Sequence, residues 1–337
     1  MGEIHVMREG FLPPKQPPRR HLISIGDLER DDVERLLATA KSFSRSLERE
    51  VKKLPTLRGR TVVNVFYESS TRTSSSFELA AKRLSADTMS IKAAGSSVDK
   101  GESLKDTVAT LSAYDPAAIV IRHPYAGAAQ MVAGWTAAAV VNAGDGKHEH
   151  PSQALLDVYT LRRRLGSLDG VRIWIVGDVL HSRVARSNLI AFAKMGAELT
   201  VCGPPTLIPR GIEELGCDVS YSLDGIEEAE VVYALRMQNE RMSESFVPSL
   251  REYAACFQID TRRLNPRQLL MHPGPVNRGV ELSGEAIDSP QSLIAEQVAA
   301  GLVVRMAILY ELLAGGDAST PAAEGEGSHP TPIGTSA

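Results

Sequence analysis

The chain has 337 residues, of which 43% are hydrophobic and 23% charged. At roughly 100–200 residues per domain this suggests about two domains with sizeable cores, and it excludes a chain that is disordered or fibrous throughout. Lys and Arg total 37 against 41 Asp and Glu, a formal charge of −4, which argues against a protein built to grip nucleic acid.

Residues 1–19 read as a flexible tail. They carry Pro13, Pro14, Pro17 and Pro18 and show no periodic apolar pattern. They hold neither the apolar h-region of a secretory signal nor the Ser or Thr of a myristoylation site. Val33, Leu36, Leu37, Ala40 and Phe43 then recur at helical spacing. Thr61–Phe66 (TVVNVF) predicts a strand, and Phe77, Leu79, Ala80, Ala81 and Leu84 a helix. Ala118–Ile121 predicts a strand, Tyr125–Trp135 a helix, and Val140–Val141 the end of a short strand. Pro151–Leu165 predicts a helix, Val171–Val176 a buried strand, Ser182–Met195 a helix and Leu199–Cys202 a strand. Val231–Leu235 and Leu269–Met271 predict further strands, and Leu293–Leu313 a long closing helix. Residues 315–337 are rich in Gly, Pro, Ser, Thr and Ala and read as disordered, because they cannot bury enough apolar surface to offset their ordering entropy.

Strands alternating with helices imply an α/β fold of parallel sheets with both faces covered. Two such blocks, before and after about residue 160, predict two domains. No apolar run reaches the ~18 residues of a membrane span. Cys202, Cys217 and Cys256 match no zinc or redox spacing, and an odd count makes a poor disulfide framework. The expectation is a reduced, cytoplasmic protein.

Ligands of parallel α/β sheets bind beyond the carboxyl ends of the strands. Those ends carry Ser70-Thr71-Arg72-Thr73, Arg122, His148, His150, Gln153, Arg183, Arg236, Gln238 and His272-Pro273-Gly274-Pro275. So many Arg and His predict an anionic ligand. Ser70–Thr73 opens a helix, where free N–H groups and the helix dipole attract phosphate or carboxylate. A plain Ser/Thr helix cap reads equally well there. No Walker A or G-x-G-x-x-G pattern is present, which weighs against a nucleotide or dinucleotide. His148 and His150 form an H-x-H pair, but nearby acids lack a metal-ligand spacing, so no metal is expected. Arg183, and Lys100 in a Gly/Ser-rich loop, read in isolation as surface residues. Arg236 at the end of an apolar strand is harder to explain that way.

Taken together, FYESSTRTSSSFE (66–78), GSSVDKGESLKDT (95–107), IRHP (121–124), NAGDGKHEHPSQALLD (142–157), GDVLHSRVARS (177–187), RMQNERM (236–242) and HPGPVNRG (272–279) resemble the catalytic chains of the aspartate carbamoyltransferase family. The resemblance spans nearly all of residues 20–314. It implies transfer of the carbamoyl group of carbamoyl phosphate to the amino group of L-aspartate, giving N-carbamoyl-L-aspartate and phosphate in pyrimidine biosynthesis. It implies two domains, each a parallel sheet flanked by helices, joined by long interdomain helices. Residues 20–157 with 293–314 would bind carbamoyl phosphate, and residues 158–292 aspartate.

By the same resemblance Ser70, Thr71, Arg72 and Thr73 hold the phosphate. Thr73, Arg122 and His150 bond the carbonyl oxygen as charge develops on it, in the manner of an oxyanion hole. Gln153 and the carbonyls of Gly274 and Pro275 take the carbamoyl NH2. Arg183 and Arg236, assisted by Gln238, bind the two carboxylates of aspartate. Lys100 and a loop serine, Ser97 rather than Ser96, reach in from the neighbouring subunit of a homotrimer. The released phosphate takes the amine proton, and no metal or organic cofactor is implied. Regulatory or dihydroorotase chains are possible additional partners; nucleic acid and membrane are not expected. Ser74 stands where many relatives carry a second Arg, and the Arg of an HPLPR-type loop moves out to Arg278. The nearest alternative is an ornithine or other amine-specific carbamoyltransferase; a non-catalytic paralogue and a metal hydrolase using His148 and His150 are more distant.

Overall fold

The computed structural model describes residues 21–92, 101–238 and 246–314. Both expected tails, Ser96, Ser97 and Lys100 lie outside the described residues.

The first half builds a four-stranded sheet from β1 (Thr61–Phe66), β2 (Asp87–Lys92), β3 (Ala118–His123) and β4 (Ala139–Asp145). Its order is β2-β1-β3-β4 and every pairing is parallel. Helices α1 (Arg30–Ser46), α2 (Thr71–Arg83), α3 (Leu104–Ser112) and α4 (Ala128–Ala133) belong to this half. Helix α5 (Pro151–Leu165) leads to a second sheet of β5 (Arg172–Val176), β6 (Glu198–Cys202), β7 (Asp218–Ser220), β8 (Val231–Ala234) and β9 (Leu269–Met271). Its order is β7-β6-β5-β8-β9, again all parallel. Helices α6 (Arg183–Lys194), α7 (Leu250–Phe257), α8 (Gly284–Ile287) and α9 (Ile294–Leu313) complete the chain.

The strand runs that read as apolar are the central strands β1, β3, β5, β6 and β8, together with β4 and β9 at the sheet edges. β1, β3, β4 and β8 are buried almost throughout, as strands covered on both faces must be. The polar DTMSIK sequence of β2 gave no strand signal because β2 is an edge strand with most residues partly or fully exposed. Helix α3 was also not anticipated, although its cap is legible: Ser103 Oγ accepts from Asp106 N. Helices α7 and α8 begin at Ser249 and Ser283, which cap them in the same way. The helix predicted over Tyr125–Trp135 is a shorter one, Ala128–Ala133, bounded by Gly127 and Gly134. The strand at Val140–Val141 extends to Asp145.

Helices α5 and α9 pack on each other. α5 also meets β4 and α6, and α9 meets α1, α2 and β9. One apolar core therefore runs from Val62, Phe66 and Phe77 through Leu155 and Val304 to Ile173 and Phe192. Each such side chain contributes about 1.5–3 kcal/mol by leaving water. The two helices tie the halves into one framework, as the resemblance implied. Among the described residues no helix is long and apolar enough to cross a membrane.

Candidate active site

In each sheet the strand order reverses beside the first strand of its half. From β1 the chain moves to β2 on one side and β3 on the other; from β5 it moves to β6 and β8. Such switch points leave a crevice at the carboxyl ends of the two strands. The predicted residues gather there: Ser70–Thr73 follows β1 and Arg122 lies in β3, while Arg183 follows β5 and Arg236 and Gln238 follow β8.

Ser70 is the extended N-cap residue of α2, and its side chain makes no capping bond. Its hydroxyl and the first N–H groups of the helix are thus available to an anion. Thr71 and Arg72 are exposed, whereas Thr73 is buried and sets Oγ1 3.5 Å from His150 Nε2. His150 is the residue before Pro151 at the start of α5. Its N–H donates to Ser187 Oγ at 2.9 Å, and that hydroxyl donates to Glu149 Oε2 at 3.0 Å. Glu149 also accepts from Ile25 N at 3.0 Å and from Ser24 Oγ. The buried histidine is thus held by α6 and by the segment before α1. Arg122 donates to Ala143 O at 3.4 Å and has Nε 3.4 Å from Glu68 Oε2, a charge contact without hydrogen-bond geometry.

Arg183, the first residue of α6, is buried and crosses between the halves. It donates through Nη2 to Glu68 Oε2 at 2.5 Å and through Nη1 to Gly146 O at 3.2 Å. Gly144 makes room for it: a Cβ there would sit 3.0 Å from the guanidinium carbon. Ser182 Oγ caps α6 by accepting from Ala185 N. Arg236 Nη1 donates to Gln238 Oε1 at 3.4 Å. Gln238 N donates to Asp178 Oδ2 at 3.2 Å, and Asp178 Oδ1 lies 2.8 Å from His181 Nδ1. Both members of that Asp–His pair are buried.

The loop after β9 closes the site. Gly274 N donates to His272 Nδ1 at 2.8 Å, and the Gly274–Pro275 peptide bond is cis. Gly274 has φ +63°, and a Cβ on it would lie 3.1 Å from Arg72 Cζ. The bare backbone is what lets the loop sit against Arg72. Burial holds the His272 imidazole below its ordinary range. Glu281 pulls it up, and the positive charges of Arg72 and Arg236 push it further down. Arg72 of the first half thus stands against a loop of the second.

Two family models match the chain: the aspartate/ornithine carbamoyltransferase carbamoyl-P binding domain over residues 20–163, and the Asp/Orn binding domain over residues 169–312. The chain belongs to the aspartate/ornithine carbamoyltransferase family. It is 56% identical to the aspartate carbamoyltransferase catalytic subunit of Acidothermus cellulolyticus, over 92% of this chain and 97% of that one. It is 54% identical to that of Thermobifida fusca, over 91% and 99%. The solved aspartate transcarbamoylase of Trypanosoma cruzi in complex with carbamoyl phosphate and aspartate superposes with a TM-score of 0.79. It is 31% identical, covering 88% of this chain and 97% of that one. The catalytic subunit of M. jannaschii aspartate transcarbamoylase gives 0.77 at 35% identity, covering 87% and 98%.

Against this family frame, several residues of the site carried no assigned role in the sequence. Glu68 sits inside the quoted 66–78 motif as an acid in a basic cluster, and that contrast was the available signal. Asp178 and His181 follow β5 in the same way. Asp157 closes the quoted 142–157 motif, but it, Asn188, Tyr233 and Gln297 come from four separate elements, and no local pattern ties them together. His148 Nδ1 lies 3.1 Å from Asp145 Oδ2. No group of three or more His, Cys, Asp or Glu suited to a metal stands among the described residues.

Proposed function

We infer that the protein is an aspartate carbamoyltransferase, joining the carbamoyl group of carbamoyl phosphate to the amino group of L-aspartate and releasing phosphate. The observation that carries this reading is the pair of arginines at the second switch point, Arg183 and Arg236, with Arg183 bonded across to Glu68 just before the helix N-terminus at the first. A phosphate suits the helix end, and a dicarboxylate suits two guanidinium forks. A cationic acceptor such as ornithine would meet repulsion from both arginines.

In this reading Ser70, Thr71, Arg72 and Thr73 bind the phosphate. Thr73, Arg122 and His150 donate to the carbonyl oxygen, whose growing negative charge they stabilise without reorganising. Holding the two reactants in line supplies much of the acceleration. Gln153 and the Gly274 and Pro275 carbonyls accept from the carbamoyl NH2. Arg183, Arg236 and Gln238 bind aspartate, whose carboxylate competes with Glu68 for Arg183. The amine attacks the carbonyl carbon, the C–O bond to phosphate breaks, and the departing phosphate takes the proton. Residues 20–157 with 293–314 serve as the carbamoyl-phosphate unit and residues 158–292 as the aspartate unit.

The working form is a homotrimer with Ser97 and Lys100 entering the adjacent subunit's site. In support, edge strand β2 leads directly into residues 93–100, and its polar exposed face leaves that edge open to a neighbour. A cytoplasmic location fits three free thiols, two of them buried. Burial pushes Cys202 up to about 12 and Cys217 up to about 11, so neither is a reactive thiolate. The deciding experiment supplies carbamoyl phosphate with L-aspartate or L-ornithine in parallel. Carbamoyl-aspartate is the expected product; citrulline would overturn the assignment of the acceptor pocket.

A further inference from the structure

Asp157 lies one turn beyond Gln153 on α5 and is fully buried. Its Oδ1 accepts from Gln153 Nε2 at 3.1 Å and Gln297 Nε2 at 2.7 Å. Its Oδ2 accepts from Asn188 Nδ2 at 3.0 Å and Tyr233 Oη at 2.7 Å. These donors come from α5, α9, α6 and β8. An ionised carboxylate offers about four acceptor sites and no donor, so every site is filled. For packing alone, apolar side chains would serve such a junction at least as well. The carboxylate does something that they would not: it dictates which end of each amide points towards it.

Gln153 must present Nε2 to Asp157, which turns Oε1 away from the carboxylate. Among the described residues no protein donor engages that oxygen. Gln297 is oriented in the same way, and its Oε1 accepts from His272 N at 3.0 Å, where the His272–Pro275 loop begins. The Gln153 oxygen and the Gly274 and Pro275 carbonyls are the acceptors assigned above to the carbamoyl NH2. One buried carboxylate therefore stands behind that whole set.

We propose that Asp157 is a positioning residue that fixes the acceptor polarity of Gln153, and thereby selects a carbamoyl group over an acyl group of the same shape. This inference rests on the carbamoyltransferase reading. A carbamoyl NH2 donates and needs acceptors, whereas the methyl of acetyl phosphate is indifferent to amide polarity. With Asp157→Asn, one oxygen becomes an NH2 and the two donors that it served meet another donor. Gln153 relieves the conflict by turning over, and its own NH2 then faces the substrate NH2.

The test compares kcat/KM for carbamoyl phosphate with the competitive inhibition constant of acetyl phosphate, in wild type, Asp157→Asn and Tyr233→Phe. For Asp157→Asn, kcat/KM should fall by about 30-fold or more, as expected when a site built for one hydrogen-bonding group is mispaired. The acetyl phosphate constant should stay within about threefold, since phosphate contacts are untouched. Tyr233→Phe removes a donor but leaves the carboxylate, so its two constants should move together. The double variant Asp157→Asn/Asn188→Asp returns a carboxylate to the cluster from position 188. The amide at position 157 then donates to it while its oxygen accepts from Gln153 and Gln297. It should recover carbamoyl phosphate efficiency whether or not the single variant folds. Equal losses for both ligands in Asp157→Asn, no loss in either, or a double variant that folds without recovery would overturn the inference. Wild-type protein that makes no carbamoyl-aspartate would instead sink the functional reading itself, before any variant is compared.

Discussion

Arg183 is the residue on which most of the site's electrostatics turns. It is buried, it belongs to the second half, and its partners Glu68 and Gly146 belong to the first. Arg183→Ala should lower kcat/KM for aspartate by about 100-fold or more, because truncating one member of a buried charge pair costs about 2–5 kcal/mol. Steady-state kinetics with varied aspartate measures this; a loss below tenfold would place the carboxylate elsewhere. Gly274 provides a second single-residue test. An L side chain at its φ of +63° costs about 1–2 kcal/mol, and the added Cβ presses on Arg72. Gly274→Ala should raise KM for carbamoyl phosphate by about tenfold while that for aspartate changes much less. Arg72 and Arg183 were both legible in the sequence as residues following strands. Glu68 was visible only as an acid among bases, and its bond to Arg183 spans 115 residues.

Among elements, α6 matters for where it starts. Ser182 caps it, so Arg183 occupies its first turn with a defined direction. Ser182→Ala should cost about 1 kcal/mol of stability, read by urea titration. It should also raise KM for aspartate, because the arginine loses its fixed origin. A stability loss with unchanged aspartate KM would mean that the Glu68 and Gly146 bonds alone aim the guanidinium. Helix α9 shows the other kind of element, buried without a break from Val303 to Leu309 and with Gln297 and Arg305 inside. Arg305 lies 5.1 Å from the centre of the Phe77 ring, and burial lowers it to about 10 despite the pull of Asp157. Long apolar runs such as α9 and β8 were readable because burial on all sides leaves a strong signal. The edge strand β2 was not, because its exposed positions carry polar residues that resemble a loop.

For the whole molecule, two measurements follow. Light scattering should give three times the 36.4 kDa of the chain. Co-expressed Lys100→Ala and Arg183→Ala chains, each inactive alone, should recover activity through mixed sites that hold neither change. Failure of mixed trimers to recover would remove Lys100 from the adjacent subunit's site. The second measurement is pH-dependent stability. Burial raises Asp157 from its ordinary 3.8 to about 6, only partly offset by its four donors. Between those values the folded chain holds a proton that the unfolded chain has released. Its contribution to stability is therefore greatest below about pH 4, falls as pH rises through 6, and is flat above. The full change is about 3 kcal/mol at most. Urea unfolding from pH 4 to 8 should show the wild type losing stability relative to Asp157→Asn across this window; parallel curves would contradict the assignment.

The sequence by itself determined the fold class, most of the alternation of strands and helices, and which charged and polar residues stand at the strand ends. It could do so because local periodicity and helix-start chemistry are written within a few residues. It also determined the family, since its motifs recur in order along nearly the whole chain. Only the tertiary structure decided which residues hold those groups in place. Ser187 fixes the His150 backbone, Glu68 holds Arg183, and Asp157 gathers Gln153, Asn188, Tyr233 and Gln297. All of these bonds except the one from Gln153 to Asp157, which lies within α5, join elements far apart in the chain. Their partners are chosen by which buried polar atoms must be satisfied once the core has closed, and no local pattern records that choice.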